Sequence, residues 1–168
     1  MAWAMGLNSA SWLLIVSITT GIMNQQSTCR THIMRFLTGW GSNTLCIWWR
    51  TGTRLCRKKV QALKIRPFFR RILITHRFGI ANAKPSRYCF ELIRKAEQCD
   101  WAEMVYIGDN PAKHFVNLNM VRMPSVRVLT GVHSEVVGGR GYEAAHHIPD
   151  LSNLEPLVES ILVPGHNE

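Results

Sequence analysis

The first ninety residues of this 168-residue chain contain no aspartate or glutamate, and the first acidic side chain is Glu91. The same ninety residues carry fourteen lysines and arginines, whereas the remaining seventy-eight carry six basic and eleven acidic residues, a net charge of −5. Folded domains usually intersperse charges of both signs on their surface. The absence excludes a carboxylate nucleophile or a carboxylate acid–base group from the first half of the chain.

Two interpretations of this charge asymmetry compete. One is a basic arm that binds polyanions; the other is an altered N-terminal segment joined to an ordinary acidic domain. Only two basic residues, Arg30 and Arg35, precede position 50, and eight of the fourteen fall between Arg50 and Arg70. Because the chain has no dense basic arm at its start, we favour the second interpretation and expect no nucleic-acid partner.

Paired cysteines are also missing. The chain has five cysteines, an odd number, with no Cys-x-x-Cys pair and no histidine at zinc-finger spacing. This excludes a disulfide framework and a structural zinc site of the usual kind. It predicts free thiols in a reducing compartment, and therefore a cytoplasmic protein.

No long apolar run is present either. Residues 2–29 are uncharged, but their strongly apolar part is confined to 12–16, and no basic residues precede it. A membrane span needs about 20 mostly apolar residues, so a span or a signal peptide is disfavoured. Residues 24–57 show neither a helical nor a strand period. We therefore predict an atypical segment over 1–57 and an ordered domain over 58–168.

From Lys58 onward, predicted helices and strands alternate. Short apolar runs at 72–75, 104–107 and 126–129 are typical of buried parallel strands. Helices are predicted at 59–65, after Pro85, at 112–119 and at 153–162, with Tyr88, Leu92, Ile93 and Ala96 on the inner face of the second. The alternation predicts an α/β fold with a parallel sheet covered by helices on both faces.

Asp109 is the first candidate functional residue. It follows the predicted strand 104–107 on a glycine-flanked turn, directly before a helix. Ligands bind at the carboxyl ends of strands in such sheets, and a carboxylate there suits a hard cation such as Mg²⁺. The alternative is that Asp109 or Asn110 caps the helix that begins at Pro111.

Lys84 is the second candidate. It lies in a loop before a helix and is followed by Pro85. A lysine at such a place can reach a phosphate or pair with a carboxylate. The alternative is an ordinary solvated lysine.

Together the two segments resemble known motifs. Asn82-Ala83-Lys84-Pro85 and Val105-Tyr106-Ile107-Gly108-Asp109-Asn110-Pro111 resemble, in order and spacing, the third and fourth motifs of the haloacid-dehalogenase (HAD) superfamily. The resemblance covers about residues 58–163. It implies a Rossmann-like fold and Mg²⁺-dependent hydrolysis of a phosphorylated small molecule through an aspartyl-phosphate. In that scheme Lys84 is catalytic, since it neutralises charge on the transferred group, and Asp109 helps to hold the metal.

The sequence departs from this family at several positions. The family's nucleophilic aspartate lies on the first strand, with a second acid two residues later, and no acidic residue precedes Glu91. Thr51 is the nearest candidate for the hydroxyl that holds the phosphoryl oxygens. His114 stands where the fourth motif has a second acid, and imidazole suits Zn²⁺ better than Mg²⁺. His133, His146 and His147 could form a metal cluster, but because they show no regular ligand spacing we favour solvated loop residues.

We therefore predict a truncated or catalytically impaired HAD-like phosphohydrolase whose Rossmann-like sheet is incomplete at its N-terminus. The alternative is a non-catalytic protein that binds membranes or polyanions through the apolar start and the basic residues 50–71.

Overall fold

A single parallel β-sheet organises the part of the chain that can be described. The computed structural model describes residues 13–16, 45–50, 64, 66–69, 71–82 and 85–162. These residues form six strands in the order β3-β2-β1-β4-β5-β6, and every neighbouring pair is parallel. The predicted α/β fold with a Rossmann-like parallel sheet is confirmed.

The strands run outward from the middle of the sheet in two directions. They are β1 (Leu13–Val16), β2 (Leu45–Arg50), β3 (Arg71–Ile74), β4 (Met104–Gly108), β5 (Ser125–Val128) and β6 (His146–Ile148). The chain passes from β1 to β2 and β3 on one side, then crosses to β4 and continues to β5 and β6 on the other. The strand order therefore reverses between β1 and β4, which makes this boundary a topological switch point.

Two of the six strands come from residues 1–57, which differs from the expectation of a sheet incomplete at its N-terminus. The apolar run within 12–16 becomes β1, which pairs with β2 on one edge and β4 on the other. Central strands of a parallel sheet need not alternate apolar and polar residues, so β2 carries no periodic signal. The proposed division of the chain at residue 57 stays a prediction.

The first α-helix, α1, covers Tyr88–Glu97 and ends at Gln98, which adopts a left-handed conformation with φ of 53°. Its buried residues are Cys89, Phe90 and Ile93. The predicted inner face is wrong at Tyr88, which is 41% exposed, and at Ala96, which is also exposed. The apolar stripe is centred one position further along the chain, because Phe90 and not Tyr88 packs against β4.

The predicted helix at 112–119 is divided into two short helices, α2 (Pro111–His114) and α3 (Val116–Asn119). The break falls at Phe115, whose side chain is fully buried. A last helix, α4, covers Leu154–Leu162 and buries Leu154 and Val158. The strand predicted at 126–129 is β5, displaced by one residue.

Tyr106 of β4 lies at the centre of the core. Its ring meets that of Phe90 edge-on at 5.1 Å and that of Phe115 at 6.0 Å. Edge-to-face pairs of this kind stabilise beyond their buried area by about 0.5–1.5 kcal/mol each. All five residues of β4 are buried, so both faces of this strand are covered. The end of β4 is thus held firmly in place, and Asp109 follows it directly.

Candidate active site

Asp109 lies at the carboxyl end of β4, next to the switch point of the sheet. The residue is 1% exposed. Val16, the last residue of β1, is aligned with Ile107, two positions before Asp109. The carboxyl ends of β1 and β4 therefore meet at the same edge, where ligands bind in doubly wound sheets. The sequence-predicted location of Asp109 at the end of a buried strand is what the structure shows.

The side chain that caps α2 is Asn110. Its Oδ1 accepts a hydrogen bond from the backbone N–H of Ala112 at 3.0 Å, and Pro111 occupies the first helical position. The sequence left open whether Asp109 binds a cation or whether Asp109 or Asn110 caps this helix. Asn110 serves as the helix cap, and Asp109 places a buried carboxylate directly before it.

Lys84 lies outside the described residues, but the residue that follows it contacts α3. Asn117 in α3 donates from Nδ2 to the carbonyl oxygen of Pro85 at 2.8 Å. Pro85 is the next residue after Lys84 in the sequence. Pro85 is therefore anchored to α3, a contact that sequence reasoning missed because an asparagine at 117 carries no motif.

For two further candidates, Thr51 and His114, the structure does not describe the side chain. Thr51 lies outside the described residues, and it is the residue after Arg50, where β2 ends. Because β2 is parallel to β1 and β4, its carboxyl end belongs to the same edge of the sheet. His114 is the last residue of α2, and its side chain lies outside the described part of the chain.

The loop from β5 to β6 is held by one buried arginine. Arg127 is 3% exposed and is aligned with Gly108, directly before Asp109. Its Nη1 donates to both carboxylate oxygens of Glu143, at 2.7 and 2.8 Å. Its Nη2 donates to the carbonyl oxygen of His133 at 2.9 Å and to that of Val136. A buried charge is tolerated when paired and hydrogen-bonded in this way.

Glu143 gathers hydrogen bonds from three residues. Burial opposes its ionisation, but hydrogen bonds from His147, Arg127 and the N–H of Gly138 outweigh that effect and lower its pKa from 4.5 to about 2. Gly138 and Glu143 are so close that a Cβ on Gly138 would lie 2.5 Å from Glu143 Oε1. The carboxylate therefore stays ionised at neutral pH and fixes this loop to β5.

The three histidines expected to be solvated loop residues are placed differently: His146 and His147 lie in β6, where His147 is exposed, and the half-buried His133 lies in the β5–β6 loop. His133 Nε2 lies 3.0 Å from Asn110 Nδ2, and His147 Nε2 lies 3.0 Å from Glu143 Oε2. Sequence spacing could not reveal the Asn110–His133 contact, because 23 positions separate these two residues. Among the described residues, no group of three or more histidine, cysteine or acidic side chains could hold a metal ion.

The described residues fit one place in a magnesium site. Mg²⁺ prefers oxygen ligands and is commonly held by one or two carboxylates together with water and substrate phosphate. The buried Asp109 carboxylate at the switch point suits one of these positions.

Known structures share this arrangement of strands and helices. D,D-heptose 1,7-bisphosphate phosphatase from B. bronchiseptica, complexed with magnesium and phosphate, superposes with a TM-score of 0.60 at 14% identity, over 89% of this chain and 99% of that one. A HAD phosphatase from Thermococcus onnurineus gives 0.61 at 11% identity, over 88% and 97%. A 2-haloacid dehalogenase from Pseudomonas syringae pv. Tomato DC3000 gives 0.59 at 16% identity, over 76% and 52%.

The chain has the fold of the HAD-like superfamily. No family model and no curated protein matches the sequence, so this likeness is one of structure. The superposition covers 89% of this chain. The range 58–168 contains 111 of the 168 residues, which is only about two thirds of the chain. The HAD-like fold therefore extends beyond the C-terminal part in which the sequence motifs lie.

The apolar start of the chain also bears on the alternative interpretation. Among the described segments, no helix combines the length and the apolar character that crossing a membrane requires. The strongly apolar residues 13–16 form β1, in the middle of the sheet.

Proposed function

We propose that this chain is a HAD-like phosphohydrolase family member that binds a phosphorylated small molecule with Mg²⁺ but hydrolyses it slowly or not at all. The observation that carries the binding half of this proposal is the buried carboxylate of Asp109 at the switch point of a sheet with HAD-like strand order. The sharing of that fold by phosphatases, one of them complexed with magnesium and phosphate, supports it.

The catalytic half rests on the residues that follow β1. In the family's scheme the nucleophilic aspartate lies on the first strand, and a second acid comes two residues later. Here β1 (Leu13–Val16) carries no acidic residue, and we assign the two positions to Ser17, which directly follows the strand, and to Thr19, two residues later. A serine hydroxyl is a weak nucleophile without a general base, and neither position offers a carboxylate. The step that forms the aspartyl-phosphate therefore lacks its nucleophile.

The remaining groups are suited to binding. Asp109 would hold Mg²⁺, which when bound supplies positive charge to the phosphoryl oxygens. Lys84 would add a second positive charge, and the Thr51 hydroxyl would donate a hydrogen bond to a phosphoryl oxygen. Binding of a phosphoryl group needs these charges and donors, whereas its covalent transfer also needs the missing acid.

A gain of activity gives the sharpest test. Turnover of an aryl phosphate with Mg²⁺ is measured for the wild type and for the double variant Ser17→Asp, Thr19→Asp. We expect turnover at background level in the wild type and clearly above it in the double variant. The matched control adds Asp109→Asn to the double variant and should return turnover to background.

Two results would overturn the proposal. Wild-type turnover that Lys84→Ala or Asp109→Asn abolishes would show that the chain is an active phosphatase with another nucleophile. The proposed site would be refuted if the folded double variant gained no turnover and if Asp109→Asn, made in the wild-type chain, left the affinity for Mn²⁺ unchanged.

A further inference from the structure

A contact between the β5–β6 loop and the Asp109 turn is not part of the proposed chemistry. Asn110 Nδ2 and His133 Nε2 are 3.0 Å apart, although 23 positions separate these residues in the sequence. Asn110 is 9% exposed, so the contact is largely shielded from water. It connects the residue directly after Asp109 with a loop on the neighbouring strand.

The direction of this hydrogen bond follows from the partners of Asn110. Its Oδ1 accepts from the N–H of Ala112 at 3.0 Å, so the amide nitrogen faces His133. An amide nitrogen can only donate, which makes His133 Nε2 the acceptor. His133 thus gives the Asn110 amide nitrogen an acceptor in the orientation that leaves Oδ1 on the first turn of α2.

The backbone around His133 is itself held in place by hydrogen bonds. Its carbonyl oxygen accepts from Arg127 Nη2 at 2.9 Å, and Ser134 Oγ donates to the carbonyl oxygen of Gly131 at 3.0 Å. Arg127 is further fixed by both carboxylate oxygens of Glu143. Because Arg127 is aligned with Gly108, this anchor lies on the strand adjacent to the end of β4.

We propose that His133 is a positioning residue for the Asp109 turn, acting through the Asn110 side chain and held in place by the Arg127–Glu143 pair. Only the expected effect on metal binding at Asp109 rests on the proposed function. Its structural content, the orientation of Asn110 and the order of the first turn of α2, stands independently of any ligand.

The test compares two substitutions in the full chain. His133→Phe keeps an aromatic ring of similar size but removes the acceptor, whereas His133→Gln keeps an acceptor at about the reach of Nε2. The first readout is amide hydrogen exchange at Ala112, whose N–H is bound by Asn110 Oδ1. The second is the affinity for Mn²⁺, used as the probe for the Mg²⁺ site.

Loss of one hydrogen bond should speed exchange at Ala112 in His133→Phe by roughly two- to tenfold, and His133→Gln should stay within about twofold of the wild type. The N–H of Tyr106, which donates to the carbonyl oxygen of Pro124 at 2.9 Å, reports on the core and should not change. In an Asn110→Ala background the effect of His133→Phe should vanish, since the two residues act as one unit.

The proposal falls if His133→Phe leaves exchange at Ala112 at the wild-type rate, or if His133→Gln is as fast as His133→Phe. These outcomes are separable from failure of the proposed function. If the wild type binds no Mn²⁺ while Ala112 responds as expected, the metal site is wrong and the positioning role stands. If Mn²⁺ binds at Asp109 and Ala112 does not respond, the reverse holds.

Discussion

The guanidinium of Arg127 holds both carboxylate oxygens of Glu143, at 2.7 and 2.8 Å, one strand away from Asp109. The side chain of Arg127 is 4% exposed and that of Glu143 31%. The pair joins β5 to the loop that reaches Asn110, so the order of this edge of the sheet depends on it.

Removal of the buried cation should be strongly destabilising. Arg127→Met removes the donor of two loop carbonyl groups and the partner of the half-buried Glu143, so it should cost about 3 kcal/mol of the free energy of unfolding, the lower end of the range for fully buried pairs. Urea denaturation measures the change. Arg140→Met, an exposed arginine of the same loop, serves as the control and should stay within about 0.5 kcal/mol. Equal losses for the two variants would contradict the role of Arg127.

Stability should fall in acid through Glu143. Its folded-state pKa of about 2 lies below the ordinary 4.5, so its contribution is present above pH 4.5 and is lost as the pH falls towards 2. Since the side chain is 31% exposed, solvent screening reduces this contribution to about 2 kcal/mol. The melting temperature of the wild type should decline as the pH is lowered from 6 to 2. In Glu143→Gln this decline should be smaller. An unchanged slope in the variant would refute the assignment.

Gly138 should be intolerant of a side chain. A Cβ at this position would lie 2.5 Å from Glu143 Oε1 and 2.9 Å from Glu143 Cδ. The carboxylate is held by Arg127 and cannot retreat without losing hydrogen bonds, so Gly138→Ala should cost about 1–3 kcal/mol in unfolding free energy. At Gly139 the nearest atom would be Tyr142 Cδ2 at 3.8 Å, an ordinary contact, which makes Gly139→Ala the matched control. If the two variants melt alike, the close approach at Gly138 is not decisive.

Cys89 should resist alkylation until the fold opens. The residue is fully buried, and burial raises the pKa of its thiol from 9.0 to about 11. Near pH 8 the thiolate is then about a thousandth of the population, and the thiolate is the reactive form. Iodoacetamide labelling followed by peptide mass spectrometry should find Cys89 unmodified in the native protein and modified in guanidinium chloride. Rapid labelling of the native chain would show that α1 opens readily.

Several elements could be predicted from the sequence because their signals are local. The short apolar runs that become β3, β4 and β5 lie within one residue of their predicted positions. The glycine-flanked turn after β4 placed Asp109 at a strand end before any tertiary contact was known. Strand β2 was not predicted: a strand paired on both edges need not alternate, and its apolar residues include Cys and Trp within a segment rich in Thr, Gly and Arg. The buried face of α1 is centred one position later than predicted, because several apolar residues of that helix could have formed it.

By itself, the sequence determined the alternation of strands and helices, the position of Asp109 and the absence of any acid before Glu91. These properties depend on neighbouring residues or on composition, so they are legible along the chain. Only the tertiary structure decided that β1 lies beside β4, that Asn110 caps α2, and that His133 and Glu143 return to the edge where Asp109 lies. Each of these contacts joins residues through strand order or loop path, and the free energy that selects such a path is shared across the whole packed sheet.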